Sequence, residues 1–188
     1  LEPNLPDAAN SLANVLAETG QEAEALKWYR RCIKLKPDHP HAFCGMGVLL
    51  KNQNMFNEAF HCFITACRLM PKFAVAHSNL ASLLFEQGKL EQAIAHYQEC
   101  VSIDPTFAPA FCNLGNAYKE NGRLPDAIKC YTSAIRLDGN LSVAFFCLGN
   151  AYRDGGRLDD AISCFRKAIK LKPSYDDAKV GLFHTLAM

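Results

Sequence analysis

The chain has 188 residues, 49% of them hydrophobic, and its 20 Lys and Arg stand against 19 Asp and Glu for a formal net charge of +1. That balance gives no basis for binding nucleic acid or an anionic membrane surface. No apolar run approaches the roughly 18 residues of a membrane-spanning helix, and LEPNLPDA at the N-terminus lacks the basic and apolar regions of a signal peptide. The expectation is a soluble chain of the cytoplasm, the nucleus or both.

Along the chain, proline recurs on a 34-residue grid at Pro3, Pro37, Pro71, Pro105 and Pro173, with Gly139 at the one remaining point. The repeats so delimited run 6–39, 40–73, 74–107, 108–141 and 142–175. Residues 1–5 read as the tail of a preceding repeat, and 176–188 as the first helix of a further repeat or the start of a different element. Positions are counted with Pro6, Pro40, Ala74, Ala108, Ser142 and Asp176 at position 1.

Each repeat opens on an amphipathic helix whose positions 4, 7, 8 and 11, His77 apart, are apolar or small, as in Phe111, Leu114, Gly115 and Tyr118. That spacing places them on one side of an α-helix. The helix is predicted to end at position 15, where Gly20, Gly88, Gly122 and Gly156, and once Asn54, suit a left-handed turn. A second helix follows. Its position 20 is always alanine (Ala25, Ala59, Ala93, Ala127, Ala161), and its position 24 is always aromatic (Tyr29, Phe63, Tyr97, Tyr131, Phe165). Small residues at positions 8, 20 and 27 let two helices approach closely, and the aromatic fills the space they leave. Proline at position 32, or Gly139 as a C-terminal cap, is expected to close the second helix.

The nine cysteines include no C-x-x-C pair, and they fall at positions 5, 6, 23, 27 and 28, on or beside packing faces. They read as reduced, packed thiols. His96 and Cys100 lie one helical turn apart, but no set of four converging ligands for zinc accompanies them. No Gly-rich phosphate loop is present. Neither catalytic residues, nor a metal, nor a cofactor is expected.

A 34-residue helix-turn-helix carrying W-x-x-L-G-x-x-Y, A-x-x-x-F and Pro is the signature of the tetratricopeptide repeat, matched by FCNLGNAY with AIKCY and by FFCLGNAY with AISCF. The implied fold is all-α, a tetratricopeptide repeat solenoid, in which helix-turn-helix pairs stack as a right-handed superhelix because no pair can bury its apolar face alone. The opposite side of each first helix, at positions 2, 5, 6, 9, 12 and 13, lines the concave groove of such a solenoid. Candidate binding residues are therefore Asn79 and Asn113 at position 6, Asn14, Ser82, Asn116 and Asn150 at position 9, and Lys119 and Arg153 at position 12. An asparagine side chain carries the donor and acceptor of a peptide unit, so it can bond an extended peptide backbone without reading its side chains. The alternative is that these amides bond neighbouring turns or water. As exposed groups, Asn79, Asn113, Asn116 and Asn150 should each contribute less than about 0.5 kcal/mol to stability.

The runs AHSNLASLLFEQGKLEQAIAHY, DPTFAPAFCNLGNAYKENGR and AIKLKPSYDDAKVGLFHTL resemble the tetratricopeptide region of the nucleocytoplasmic O-linked N-acetylglucosamine transferases, and the repeats of plant-type protein O-fucosyltransferases are similar. The resemblance implies a scaffold that recognises acceptor proteins for a UDP-GlcNAc-dependent transferase domain following it, with position 6 asparagines helping to hold them. Asn79 and Asn113 match that ladder; Ser11, Gly45, Cys147 and Gly181 depart from it. The chain itself should bind and not turn over substrate. The alternative is a tetratricopeptide adaptor unrelated to glycosylation. Chaperone-tail binders need Lys at position 5, and Asn10, Cys44, Ser78, Cys112, Phe146 and Val180 occupy it here. The expected partners are proteins or extended peptides. Self-association through the array ends is also expected, because Leu182, Phe183 and Leu186 would face water without a covering repeat.

Overall fold

The computed structural model describes residues 5–188, which form eleven α-helices and no strand. The first helices of the repeats are α1 (Pro6–Glu18), α3 (Pro40–Asn52), α5 (Ala74–Glu86), α7 (Ala108–Glu120) and α9 (Ser142–Asp154). The second helices are α2 (Glu22–Leu35), α4 (Phe56–Leu69), α6 (Leu90–Ile103), α8 (Leu124–Leu137) and α10 (Leu158–Leu171), and α11 (Asp176–Leu186) ends the chain. Two compact units divide it, Leu1–Gln87 with α1 to α5 and Gly88–Met188 with α6 to α11. Apart from Leu5, the expected tail at 1–5 lies outside the described residues. Among the described residues no helix is long and apolar enough to cross a membrane.

The turns follow the residues that permit them. Gly20, Gly88, Gly122 and Gly156 adopt φ of 73° to 77°, and Asn54 adopts 61° in the same place. Gly139 corrects the expectation placed on it, because it does not take the left-handed form. Asp138 ends α8 instead, in extended conformation with its N–H on the Ala134 carbonyl at 2.9 Å. Lys36, Met70, Asp104 and Lys172 end the other second helices with a similar φ, so the chain leaves each helix alike whether proline or glycine comes next. The residue just before the first helix is large and apolar or aromatic at Phe73, Phe107, Leu141 and Tyr175, but it is His39 before α3. The His39 Nδ1 accepts from the Ala42 N–H at 3.2 Å and its Nε2 lies 3.0 Å from Asp7 Oδ1, so Nε2 carries the proton and the ring caps α3.

Packing within each unit turns on the aromatic at position 24. Phe63, Tyr131 and Phe165 are completely buried. A Cβ placed on Gly47 would stand 2.7 Å from the Phe63 ring, one on Gly115 2.5 Å from Tyr131, and one on Gly149 2.8 Å from Phe165. The far side of the ring meets the next repeat: a Cβ on Gly45 would lie 2.5 Å from Tyr29, and one on Gly181 2.9 Å from Phe165. Position 6 is therefore not wholly uncovered, contrary to the reading from periodicity. Position 10 is also buried, at Leu49, Leu83, Ala117, Ala151 and Thr185, as is the alanine at position 3 in Ala42, Ala76, Ala110, Ala144 and Ala178. A first helix in a stack has two covered sides, one against its own second helix and one against the repeat before it. That leaves a narrower uncovered strip than a single apolar face suggests.

Six cysteines are buried and three are half-buried, all as thiols. Burial pushes Cys62, Cys67, Cys130, Cys147 and Cys164 up to about 11 and Cys112 up to about 12, which holds them neutral and poorly nucleophilic. On α11, Phe183 and Leu186 are exposed, and Leu182 is half-buried.

Candidate functional site

In the unit holding α1 to α5, the candidate residues are engaged with their neighbours. Asn14 Oδ1 accepts the Tyr29 phenol at 2.6 Å, and Asn79 Nδ2 reaches Cys44 Sγ at 3.5 Å. Lys51 on α3 donates to Ser82 Oγ at 3.0 Å and pairs with Glu86 at 2.7 Å, so Ser82 sits inside a small polar cluster.

The unit holding α6 to α11 is different. Asn116 Oδ1 accepts the Tyr131 phenol at 2.7 Å, which turns the amide nitrogen outward as a donor. Asn150 occupies the equivalent place one repeat later, but position 24 of that repeat is Phe165, which has no hydroxyl. The Asn150 side chain consequently makes no hydrogen bond to a described residue and lines an open hollow of about 320 Å³. Lys119 of α7 and Arg153 of α9 share its wall with Asn150, and Phe146 forms part of its apolar floor. Phe146, Asn150 and Arg153 fall at intervals of four and three, one face of α9. From α11 come Asp177, Val180, Gly181 and His184, again a single stripe.

The hollow is shaped by ring packing. Phe146 lies 5.0 Å from the Tyr175 ring and 6.0 Å from that of Phe165, while Arg153 stacks 6.0 Å from Phe165 on its own account. Gly181 also lines the hollow, and the Phe165 ring fills the place where its Cβ would be. The structure thus brings together Lys119, Asn150 and Arg153. Asn113 is half-buried on α7 outside the hollow, and Asn14, Asn79 and Ser82 belong to the other unit. Phe146, Asp177, Val180 and His184 were not among the candidate residues, although they occupy positions 5, 2, 5 and 9 of the uncovered strip.

The Tyr-to-Asn spacing of 15 residues separates two kinds of asparagine. Asn116 belongs to the packing as well as to the surface. Its replacement by Ala is expected to cost about 1 kcal/mol, because the part-buried phenol of Tyr131 loses its acceptor. Asn150→Ala should stay within about 0.5 kcal/mol of the parent. Urea denaturation of the two single variants checks the difference; equal midpoints would show that the phenol bond contributes nothing.

The helix pairs, their 34-residue period and the left-handed turns between them define a repeat protein of the helix-turn-helix class. Two family models match, one described as TPR repeat over residues 13–54 and 81–122, the other as Tetratricopeptide repeat over 108–141 and 142–175. The chain belongs to the tetratricopeptide repeat family. Comparison with curated proteins gave no match. Among solved structures, the chain is similar to YrrB, described as a TPR protein with an unusual peptide-binding site, at 20% identity and a TM-score of 0.78, covering 100% of this chain and 94% of that one. It is similar to MamA from Desulfovibrio magneticus RS-1 at 22% identity and 0.79, covering 91% and 97% of the two chains. A third similar structure is pilF of Pseudomonas aeruginosa, at 16% identity and 0.81, covering 96% and 88%. At these identities the likeness is one of fold.

Proposed function

We propose that this chain is a protein-interaction scaffold that holds extended polypeptide against the uncovered faces of its first helices, and that it is the acceptor-recognition region of a nucleotide-sugar-dependent protein O-glycosyltransferase. The observation that carries the first part is Asn150, whose carboxamide is left unbonded beside Lys119 and Arg153 above an apolar floor. A peptide backbone passing over it would find a donor and an acceptor already placed. The description of YrrB as having a peptide-binding site supports the same reading by analogy of fold. For the glycosyltransferase part, the support is the resemblance of AHSNLASLLFEQGKLEQAIAHY and AIKLKPSYDDAKVGLFHTL to the repeats of that enzyme family.

Two measurements test the two parts. Fluorescence anisotropy with a labelled library of extended peptides should show saturable binding that weakens several-fold in Asn150→Ala. A library that never binds, or binding that Asn150→Ala leaves untouched, sinks the scaffold reading at this site. Reading the gene beyond codon 188 tests the rest: a nucleotide-sugar-binding domain supports the transferase assignment, and any other domain leaves an adaptor of unrelated purpose.

A further inference from the structure

A pairing of a cation at position 12 with an acid at position 13 of the following first helix occurs at two junctions and is absent at Ala17 with Asn52 and at Phe85 with Glu120. Lys51 and Glu86 satisfy it at 2.7 Å, and Ser82 takes a further hydrogen bond from the same ammonium at 3.0 Å. Lys119 and Asp154 occupy the same two positions, yet Lys119 Nζ stands 3.8 Å from Asp154 Oδ2, beyond hydrogen-bond distance. Arg153 is the next cation in the series, and the residue at the matching acidic position is Met188. Arg153 Nη2 instead reaches Asp154 Oδ1, also at 3.8 Å. One carboxylate thus stands at long range between two cations, neither of which donates a hydrogen bond to a described residue.

Both cations line the hollow, with side chains less than a third exposed (30% and 27%), so they are partly desolvated and held in place. The uncommitted amide of Asn150 lies on the same wall, with Phe146 and Val180 providing apolar surface next to it. Asp177 on the α11 side is exposed, so its opposing charge is more strongly screened by water than the pair facing it.

We propose that this hollow is a specificity pocket for an acidic side chain, the carboxylate of a Glu or Asp within an extended polypeptide, taken between Lys119 and Arg153 with a neighbouring apolar side chain on Phe146 and Val180. The inference rests on the polypeptide-binding reading above and adds the chemistry that the site selects. A planar guanidinium and an ammonium offer a carboxylate charge-assisted hydrogen bonds that Asp154 does not use at its present distance. The pocket differs from a terminal-carboxylate clamp, since its cations sit at position 12 and positions 2, 5 and 6 carry no Lys or Arg.

The test uses the full chain and three labelled peptides of one sequence: a central Glu beside Leu with the C-terminus amidated, the same with Gln, and the Gln peptide with a free C-terminal carboxylate. The Glu peptide should bind about tenfold or more tightly over the amidated Gln peptide, as charge-assisted hydrogen bonds allow. That preference should shrink with added salt, vanish in the double variant Lys119→Gln with Arg153→Gln, and grow in Asp177→Asn. Thermal melting of each variant confirms that it is folded, and the Glu-against-Gln comparison on the unaltered chain needs no variant at all. Equal affinity for the Glu and Gln peptides would overturn the acid pocket while leaving polypeptide binding intact. A preference that follows only the free C-terminus, or one that survives in the double variant, would also overturn it. Failure of all three peptides to bind would remove the acid pocket together with the reading beneath it.

Discussion

Replacing Phe165 by Ala is expected to lower stability by about 3–5 kcal/mol, the range for emptying a fully buried aromatic site. Phe165 is completely buried, and its ring sits against the places where a Cβ on Gly149 and one on Gly181 would fall, 2.8 and 2.9 Å away. Neither glycine has a side chain with which to refill the space, so the cavity cannot collapse locally. Because repeats in such arrays contact mainly their neighbours, the loss should show first as opening of α10 and α11. Native-state hydrogen exchange would reveal this as faster exchange across Leu158–Leu171 and Asp176–Leu186, with α7 and α8 changed less. Uniform acceleration over all four helices would mean that they open as one unit. The conservative change Phe165→Tyr should be mild in stability and should supply the phenol that Asn150 lacks, tying that amide down as Tyr131 ties Asn116.

Gly115→Ala should cost about 1–3 kcal/mol through overpacking, and Gly115→Val more still. A Cβ at Gly115 would stand 2.5 Å from the Tyr131 ring, which is itself completely buried and enclosed. Alanine gains up to about 1 kcal/mol of helix propensity over glycine, which offsets only part of the cost of displacing an enclosed ring. Ala13 holds the same position in the repeat of Tyr29, but that ring has Gly45 on its far side, whereas position 6 after Tyr131 is Cys147. Valine adds two methyl groups pointing at a ring that has nowhere to go. Urea denaturation of both variants checks the prediction, and a valine variant as stable as the alanine one would show that Tyr131 is more mobile than its burial implies.

The helix pairs and their turns were legible because each rests on local chemistry: 3.6-residue periodicity in the apolar residues, and φ tolerance at Gly20, Asn54, Gly88, Gly122 and Gly156. The Gly139 cap was misread because a glycine after a helix permits a left-handed residue without requiring it, and the bond from Asp138 to Ala134 already completes α8. Position 6 was misread for a different reason. Periodicity reports that a helix has an apolar side, but the burial of Gly181 and the half-burial of Gly45 come from contact with an aromatic in another repeat. Hydrophobicity does not mark a glycine as buried. The position 9 amides could have been sorted in advance, since Asn14 and Asn116 each have a tyrosine 15 residues later and Asn150 has a phenylalanine. The spacing of Lys119 from Asp154 could not, because Lys51 and Glu86 share that sequence offset and close to 2.7 Å.

The seating of Phe165 against both Gly149 and Gly181 means that the unit of heredity and the unit of packing are out of step. A duplication or exchange that copies one 34-residue block carries the aromatic but leaves behind half of its socket, which lies in the block downstream. Tyr29 faces Gly45 in this way, but position 6 is Asn79 after Phe63, Asn113 after Tyr97 and Cys147 after Tyr131, so the socket offered to the ring differs from junction to junction. Shuffling within this array is thus restricted by a junction rule that acts across the splice, and chimaeras built by swapping whole blocks should succeed or fail according to the pair at each junction.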